Sequence, residues 1–164
     1  MILYKKQIIR IFTDLKKLKE DGIWYDGIKK EGKYKKWYKN GQLWIEADYR
    51  NGKENGKYRE WYLNGQLYIN ANYNNKGQKD GEYKKWWPNG QLWINAEYKD
   101  DKKDGEYKEW QFNGKLQIDT KYKDDKLNGS YKEWWLNGQL EIDAEYKNEK
   151  EIYRYEYDED GNKI

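Results

Sequence analysis

The sequence predicts an all-β fold: an elongated, single-sheet antiparallel meander of tandem β-hairpins with a short N-terminal capping helix. Three observations predict it. One pattern recurs five times, at spacings of 24, 25, 24 and 24 residues. Each copy sets two short alternating runs of Trp, Tyr, Ile and Leu around an Asn-Gly pair, the strongest short-range hairpin signal. The chain also has 13 Ile, 11 Leu and no Val in 164 residues, too few aliphatic side chains for a deep layered core. Although 38% of residues are charged, 30 are Trp, Tyr or Phe, and disordered segments lack such rings. The chain folds on aromatics.

Residues 1–21 form the first expected element. Ile8, Ile11, Phe12, Leu15 and Leu18 recur at helical spacing and Asp21-Gly22 is a stop signal, which describes an amphipathic helix covering the first sheet edge. Lys5, Lys6 and Arg10 interrupt the apolar stretch, so neither a cleaved signal peptide nor a membrane span is expected, and a cytoplasmic protein is.

The array is expected over residues 22–161, with 162–164 as a tail. Its full copies are GKYKKWYKNGQLWIEADY from Gly32, GKYREWYLNGQLYINANY from Gly56, GEYKKWWPNGQLWINAEY from Gly81, GEYKEWQFNGKLQIDTKY from Gly105 and GSYKEWWLNGQLEIDAEY from Gly129, with partial copies at both ends. Pro88, the only proline, selects the hairpin turn. It has no N–H to bond across a two-residue turn, so a type I turn with Pro88 at i+1, followed by a left-handed Gly90, is expected. Asn55-Gly56, Asp80-Gly81, Asp104-Gly105 and Asn128-Gly129 are read as the turns joining one hairpin to the next. Strict alternation then puts Trp37, Leu43, Ile45, Ala47 and Tyr49 on a core face and Tyr34, Tyr38, Trp44, Glu46 and Asp48 on the other. The invariant column Trp37, Trp61, Trp86, Trp110 and Trp134 reads as packing.

This pattern resembles the MORN repeat, in particular its variant form built on G-x-Y-x-x-W-Y-x-N-G-x-L. The resemblance implies an elongated, twisted sheet of hairpins. It implies function less closely: similar proteins are scaffolds, membrane-associated modules and chains described as antitoxins. The bias of 29 Lys over 4 Arg suits an AT-rich genome, and such arrays occur in giant DNA viruses. Gln111, where a second ring is lost, and Thr120, where Ala is expected, depart from the pattern and predict a looser fourth copy.

Composition excludes several chemistries. With no His or Cys, one Ser and two Thr, the chain lacks the parts for triad nucleophiles and for zinc or iron–sulfur ligation. Carboxylates Glu46, Asp48, Asp119, Asp143 and Glu145 alternate with lysines, which a charge-laced sheet explains without catalysis. The acidic connectors Asp100-Asp101 and Asp124-Asp125 read as solvated loops rather than calcium sites. No enzyme activity and no cofactor are expected. A net charge of +3 from 33 basic and 30 acidic groups argues against nucleic acid.

The candidate partner site is the column Trp44, Tyr68, Trp93, Gln117, Glu141, with Tyr38 and Glu46 beside it. Aligned rings of this kind suit a protein partner first, and a glycan or anionic lipid headgroup as alternatives. Lys16, Lys17 and Lys19 offer the lipid a basic helix face. The structural alternative is that Lys36, Arg59 and Lys85 lay their stems over the rings. A free sheet edge after Tyr157 could pair two chains.

Overall fold

The computed structural model describes residues 24–26 and 29–164. The helix expected over residues 1–21 lies outside the described residues. Among the described residues, twelve strands form one antiparallel sheet in sequence order, each paired only with its chain neighbours. They are β1 (Trp24–Asp26), β2 (Lys29–Trp37), β3 (Leu43–Arg50), β4 (Lys53–Trp61), β5 (Leu67–Tyr73), β6 (Lys79–Trp86), β7 (Leu92–Lys99), β8 (Lys102–Trp110), β9 (Leu116–Lys123), β10 (Lys126–Trp134), β11 (Leu140–Lys147) and β12 (Lys150–Glu156).

The hairpin turns follow the reading from Pro88. Gly90 N–H donates to the Trp87 carbonyl at 2.9 Å, Trp87 N–H donates to the Gln91 carbonyl at 2.8 Å, and Gly90 has φ 85°, which is a type I turn closed by a left-handed glycine. The preceding Asn explains its own recurrence, because Asn89 Oδ1 accepts the Gln91 N–H at 3.0 Å, as Asn64 Oδ1 accepts that of Gln66.

The turns between hairpins lie elsewhere than expected. They are Asn51-Gly52, Asp100-Asp101, Asp124-Asp125 and Asn148-Glu149, two-residue turns with both φ values positive. The extra residue between the second and third copies converts this turn into a second copy of the Pro88 type, at Asn74–Gln78. Asn55-Gly56 and its equivalents sit inside strands at bulges. Between β7 and β8, Asp104, Gly105 and Glu106 together face Glu97 alone. A Cβ on Gly105, at φ 127°, would fall 2.8 Å from the Cβ of Glu97, so only glycine fits.

A second bulge corrects the face assignment. Lys36 pairs with Ile45 and Trp37 with Leu43, so Trp44 is an extra residue without a cross-strand partner. Its ring then lies on the side of Ile45, where Lys36 and Glu60 contact it. Tyr34 pairs directly with Ala47 and therefore shares its face. One face thus carries Tyr34, Tyr38, Trp44, Ile45, Ala47 and Tyr49. The other carries Trp37, Leu43, Glu46 and Asp48.

The core is a row of alternating large and small residues across the sheet: Tyr34, Ala47, Tyr58, Ala71, Tyr83, Ala96, Tyr107, Thr120, Tyr131, Ala144. The four alanines are at most 2% exposed. Each row tyrosine meets a second one edge to face, from Tyr34–Tyr49 at 5.7 Å to Tyr131–Tyr146 at 6.1 Å. The invariant tryptophans are not this core. They stand on the opposite face, Trp61, Trp86, Trp110 and Trp134 half-buried and Trp37 exposed, beside ion pairs such as Lys35–Glu46 (3.0 Å) and Lys108–Asp119 (2.9 Å).

Two predictions follow from the row. Thr120 is 1% exposed and its hydroxyl has no hydrogen-bond partner, where the other copies place Ala. Thr120→Ala is expected to raise stability by about 1 kcal/mol in urea unfolding. Burial also lifts four of the row phenols above their ordinary range, Tyr83 to about 12 and Tyr58, Tyr107 and Tyr131 further, with Glu60, Glu109 and Glu133 adding to the last three. A raised folded-state value means the stabilisation is intact below pH 10 and is lost as pH rises through about 12. Phenolate absorbance and circular dichroism should change together in that window; row tyrosines ionising near pH 10 with the fold intact would contradict the packing.

Candidate functional site

The bulge brings the expected ring column onto the core face and stacks each ring on the residue that opens its hairpin turn. Tyr38 and Trp44 lie 5.3 Å apart at 16°, Tyr62 and Tyr68 4.6 Å apart at 47°, and Trp87 and Trp93 4.1 Å apart at 15°. All six rings are half-buried. The column ends in repeats four and five, where the same positions hold Gln111 with Gln117 and Trp135 with Glu141.

Charged side chains clamp these rings. Lys36 Nζ is 4.0 Å from the centre of Trp44, and Lys85 Nζ is 4.2 Å from that of Trp93 and 5.0 Å from that of Tyr68. The indole N–H groups of Trp44 and Trp93 donate to Glu60 and Glu109, each at 3.1 Å. The second oxygens of these carboxylates accept Tyr58 and Tyr107 hydroxyls at 3.0 and 2.8 Å, tying the column to the tyrosine row. Lys36 and Lys85 therefore cover the rings as the sequence allowed. Arg59 instead pairs with Glu46 at 3.4 Å on the other face.

The first rings of the stacks also join successive repeats. Tyr38 and Tyr62 hydroxyls donate to the carbonyls of Trp61 and Trp86 at 2.8 and 2.9 Å, and the Trp87 indole to that of Trp110 at 3.1 Å. Sequence reasoning missed Tyr62 and Trp87. Their signal was the aromatic residue after the invariant Trp, whose polar tip reaches one repeat ahead. Gln111 breaks this device: its Nε2 reaches the Trp135 carbonyl at a long 3.3 Å, and its buried Oε1 has no partner.

Of the five expected site residues, Tyr38 and Trp44 are in contact, and Tyr68 and Trp93 continue the same column. Glu46 is separated from them by the sheet. Its carboxylate lies between Lys35 and Arg59, and the Lys35 hydrogen bond holds it below the ordinary carboxylate range. Among the described residues, no three acidic side chains converge as a metal site.

Gln111→Tyr should restore a ring able to reach the next carbonyl and remove the orphaned amide oxygen. A gain of about 1 kcal/mol in urea unfolding is expected.

A family model described as MORN repeat variant matches residues 30–51, 54–75, 79–100, 103–124 and 127–148. No curated protein matches the chain.

Proposed function

The chain belongs to the MORN repeat variant family, whose repeats are generally non-enzymatic modules that often bind proteins or membrane lipids, and we propose that it is a scaffold binding a protein partner through the ring column of its first three repeats. The observation that carries this reading is the run of ring pairs on one face, Tyr38/Trp44 and Trp87/Trp93 stacked and Tyr62/Tyr68 tilted between them. Rings held by stacking and by Glu60 and Glu109 lose little rotamer freedom on binding, which favours rigid aromatic anchors.

The occupied ring surfaces favour a protein over a glycan. A sugar stacks on an open aromatic face, whereas Trp44 and Trp93 each carry a stacked ring and a lysine ammonium. What remains accessible is ring edges with alternating Lys and Glu beside them, which suits the mixed apolar and polar side chains of a protein surface. Glu46 is outside this surface.

Trp44, Tyr68 and Trp93 changed together to Ala should reduce partner capture at least tenfold in crosslinking pull-downs, with circular dichroism confirming that the sheet remains. Lys35→Ala with Arg59→Ala, on the opposite face, should leave capture unchanged. A folded triple variant that retains its partners would refute the ring column as the binding surface.

A further inference from the structure

The two long edges of the sheet, where the turns lie, have opposite character. One carries Asn51-Gly52, Asp100-Asp101, Asp124-Asp125 and Asn148-Glu149 between Arg and Lys flanks. The other carries the hairpin turns, and at their tips the side chains are Lys39, Leu63, Pro88, Phe112, Leu136 and Glu159 in order. Leu63, Phe112 and Leu136 are 58%, 57% and 76% exposed. Solvent-facing apolar residues repeated in register along one edge are unlike scattered surface leucines.

The tips are held in place. Asn64 Nδ2 donates to the Pro88 carbonyl at 2.9 Å, Asn89 Nδ2 to that of Phe112 at 3.0 Å and Asn137 Nδ2 to that of Glu159 at 2.8 Å, so these three turns are each tied to the next. Phe112 also rests edge-on against Trp87 at 5.8 Å. Successive tips are two strands apart, roughly 9–10 Å, which makes a row about 48 Å long.

The order of these residues is its own complement when reversed. Two rows laid antiparallel place Lys39 against the partner's Glu159 at both ends, Leu63 against the partner's Leu136 and Pro88 against the partner's Phe112. A parallel arrangement would set lysine on lysine and glutamate on glutamate. A two-fold interface needs a patch that complements itself in this way. We infer that the hairpin-turn edge is a self-association surface, on which a second copy of this chain docks antiparallel through its own Lys39-to-Glu159 row. The surface borders the ring column where Phe112 meets Trp87, and its contact is narrow, so the dimer forms in the micromolar range.

Sedimentation velocity of the full chain from roughly 1 to 500 µM tests this. The expected result is a reversible monomer–dimer equilibrium. Phe112→Asp should weaken it about a hundredfold, because the aspartate would be desolvated in the contact. Lys39→Glu should weaken it about tenfold, and adding Glu159→Lys should restore it, since two ion pairs are inverted and then rebuilt. All these side chains are at solvent-exposed tips, so circular dichroism should be unchanged. A chain monomeric throughout the range overturns the inference. So does a dimer indifferent to Phe112→Asp, or a double charge swap that fails to rescue the single one.

Discussion

Among the described residues the single sheet has no second layer to cover it, so one of its faces must be buried by side chains of that same face. The contact that accomplishes this is an alanine between two tyrosines on adjacent strands, with Arg154 in the place of the second tyrosine at Ala144. At each such point the small residue leaves room for both rings to lie over it, and the alanines are almost fully buried although none of the described residues packs on the sheet from outside. The arrangement fails for an isolated hairpin, which supplies a tyrosine on only one side of its alanine. It becomes complete only when the next hairpin brings the second ring, and this makes the repeat count part of the folding problem. Thr120 marks how tight the arrangement is. The place of an alanine methyl can accept a hydroxyl only by leaving it without a hydrogen-bond partner.

Two bulges per repeat serve this contact. The glycine bulge absorbs three residues opposite one, and shifts the pairing so that the tyrosine beyond it meets the next alanine. The ring bulge does the reverse work. It takes a residue that alternation would place on the charged face and turns it to the tyrosine side, where a carboxylate such as Glu60 bonds both Trp44 and Tyr58. Core and candidate site are consequently one bonded system. A ring in the column cannot shift without loosening the carboxylate that also holds a core phenol. Stiffness of the ring column is therefore a product of the packing, not a separate provision.

This coupling explains which features were legible in the sequence. The hairpin turn was readable because Pro88 and Asn-Gly each carry one stereochemical demand, and only the type I turn with a left-handed glycine meets both. The glycine bulges were mistaken for turns because Asn55-Gly56 and Asn40-Gly41 use the same dipeptide for the same reason, a positive φ at glycine, in different settings. The faces were misassigned from Trp44 onward because a bulge breaks the period of two without changing composition. Tyr38, Trp44, Tyr68 and Trp93 were recognised as a set, since their repetition is visible in one dimension. Glu46 was grouped with them by proximity in sequence, and the sheet separates what the chain places two residues apart. Gln111 and Thr120 were visible as departures from the repeat, and each leaves an unsatisfied buried atom.

Positions that are the same in every copy and those that vary divide by physical role. The glycines, the row tyrosines and the turn asparagines satisfy conditions that every repeat meets, so substitution at any one is penalised by local geometry. The bulge column and the turn tips meet no such condition. A bulge needs an extra residue of any kind, and a tip at i+1 of a type I turn accepts Lys, Leu, Pro or Phe alike. Packing therefore leaves these columns free, and their patterns are the ones that differ along the array: rings in the first three repeats followed by Gln117 and Glu141 in one, a basic-to-apolar-to-acidic order in the other. Recognition that distinguishes one end of the array from the other can be carried only by columns that vary, because an invariant column presents the same chemistry at every repeat. The molecule thus separates the residues that build the sheet from those that give it direction, and the neighbours of both directional columns, Tyr38 and Tyr62 beside the rings and Asn64 and Asn89 beside the tips, hydrogen-bond to backbone one repeat ahead.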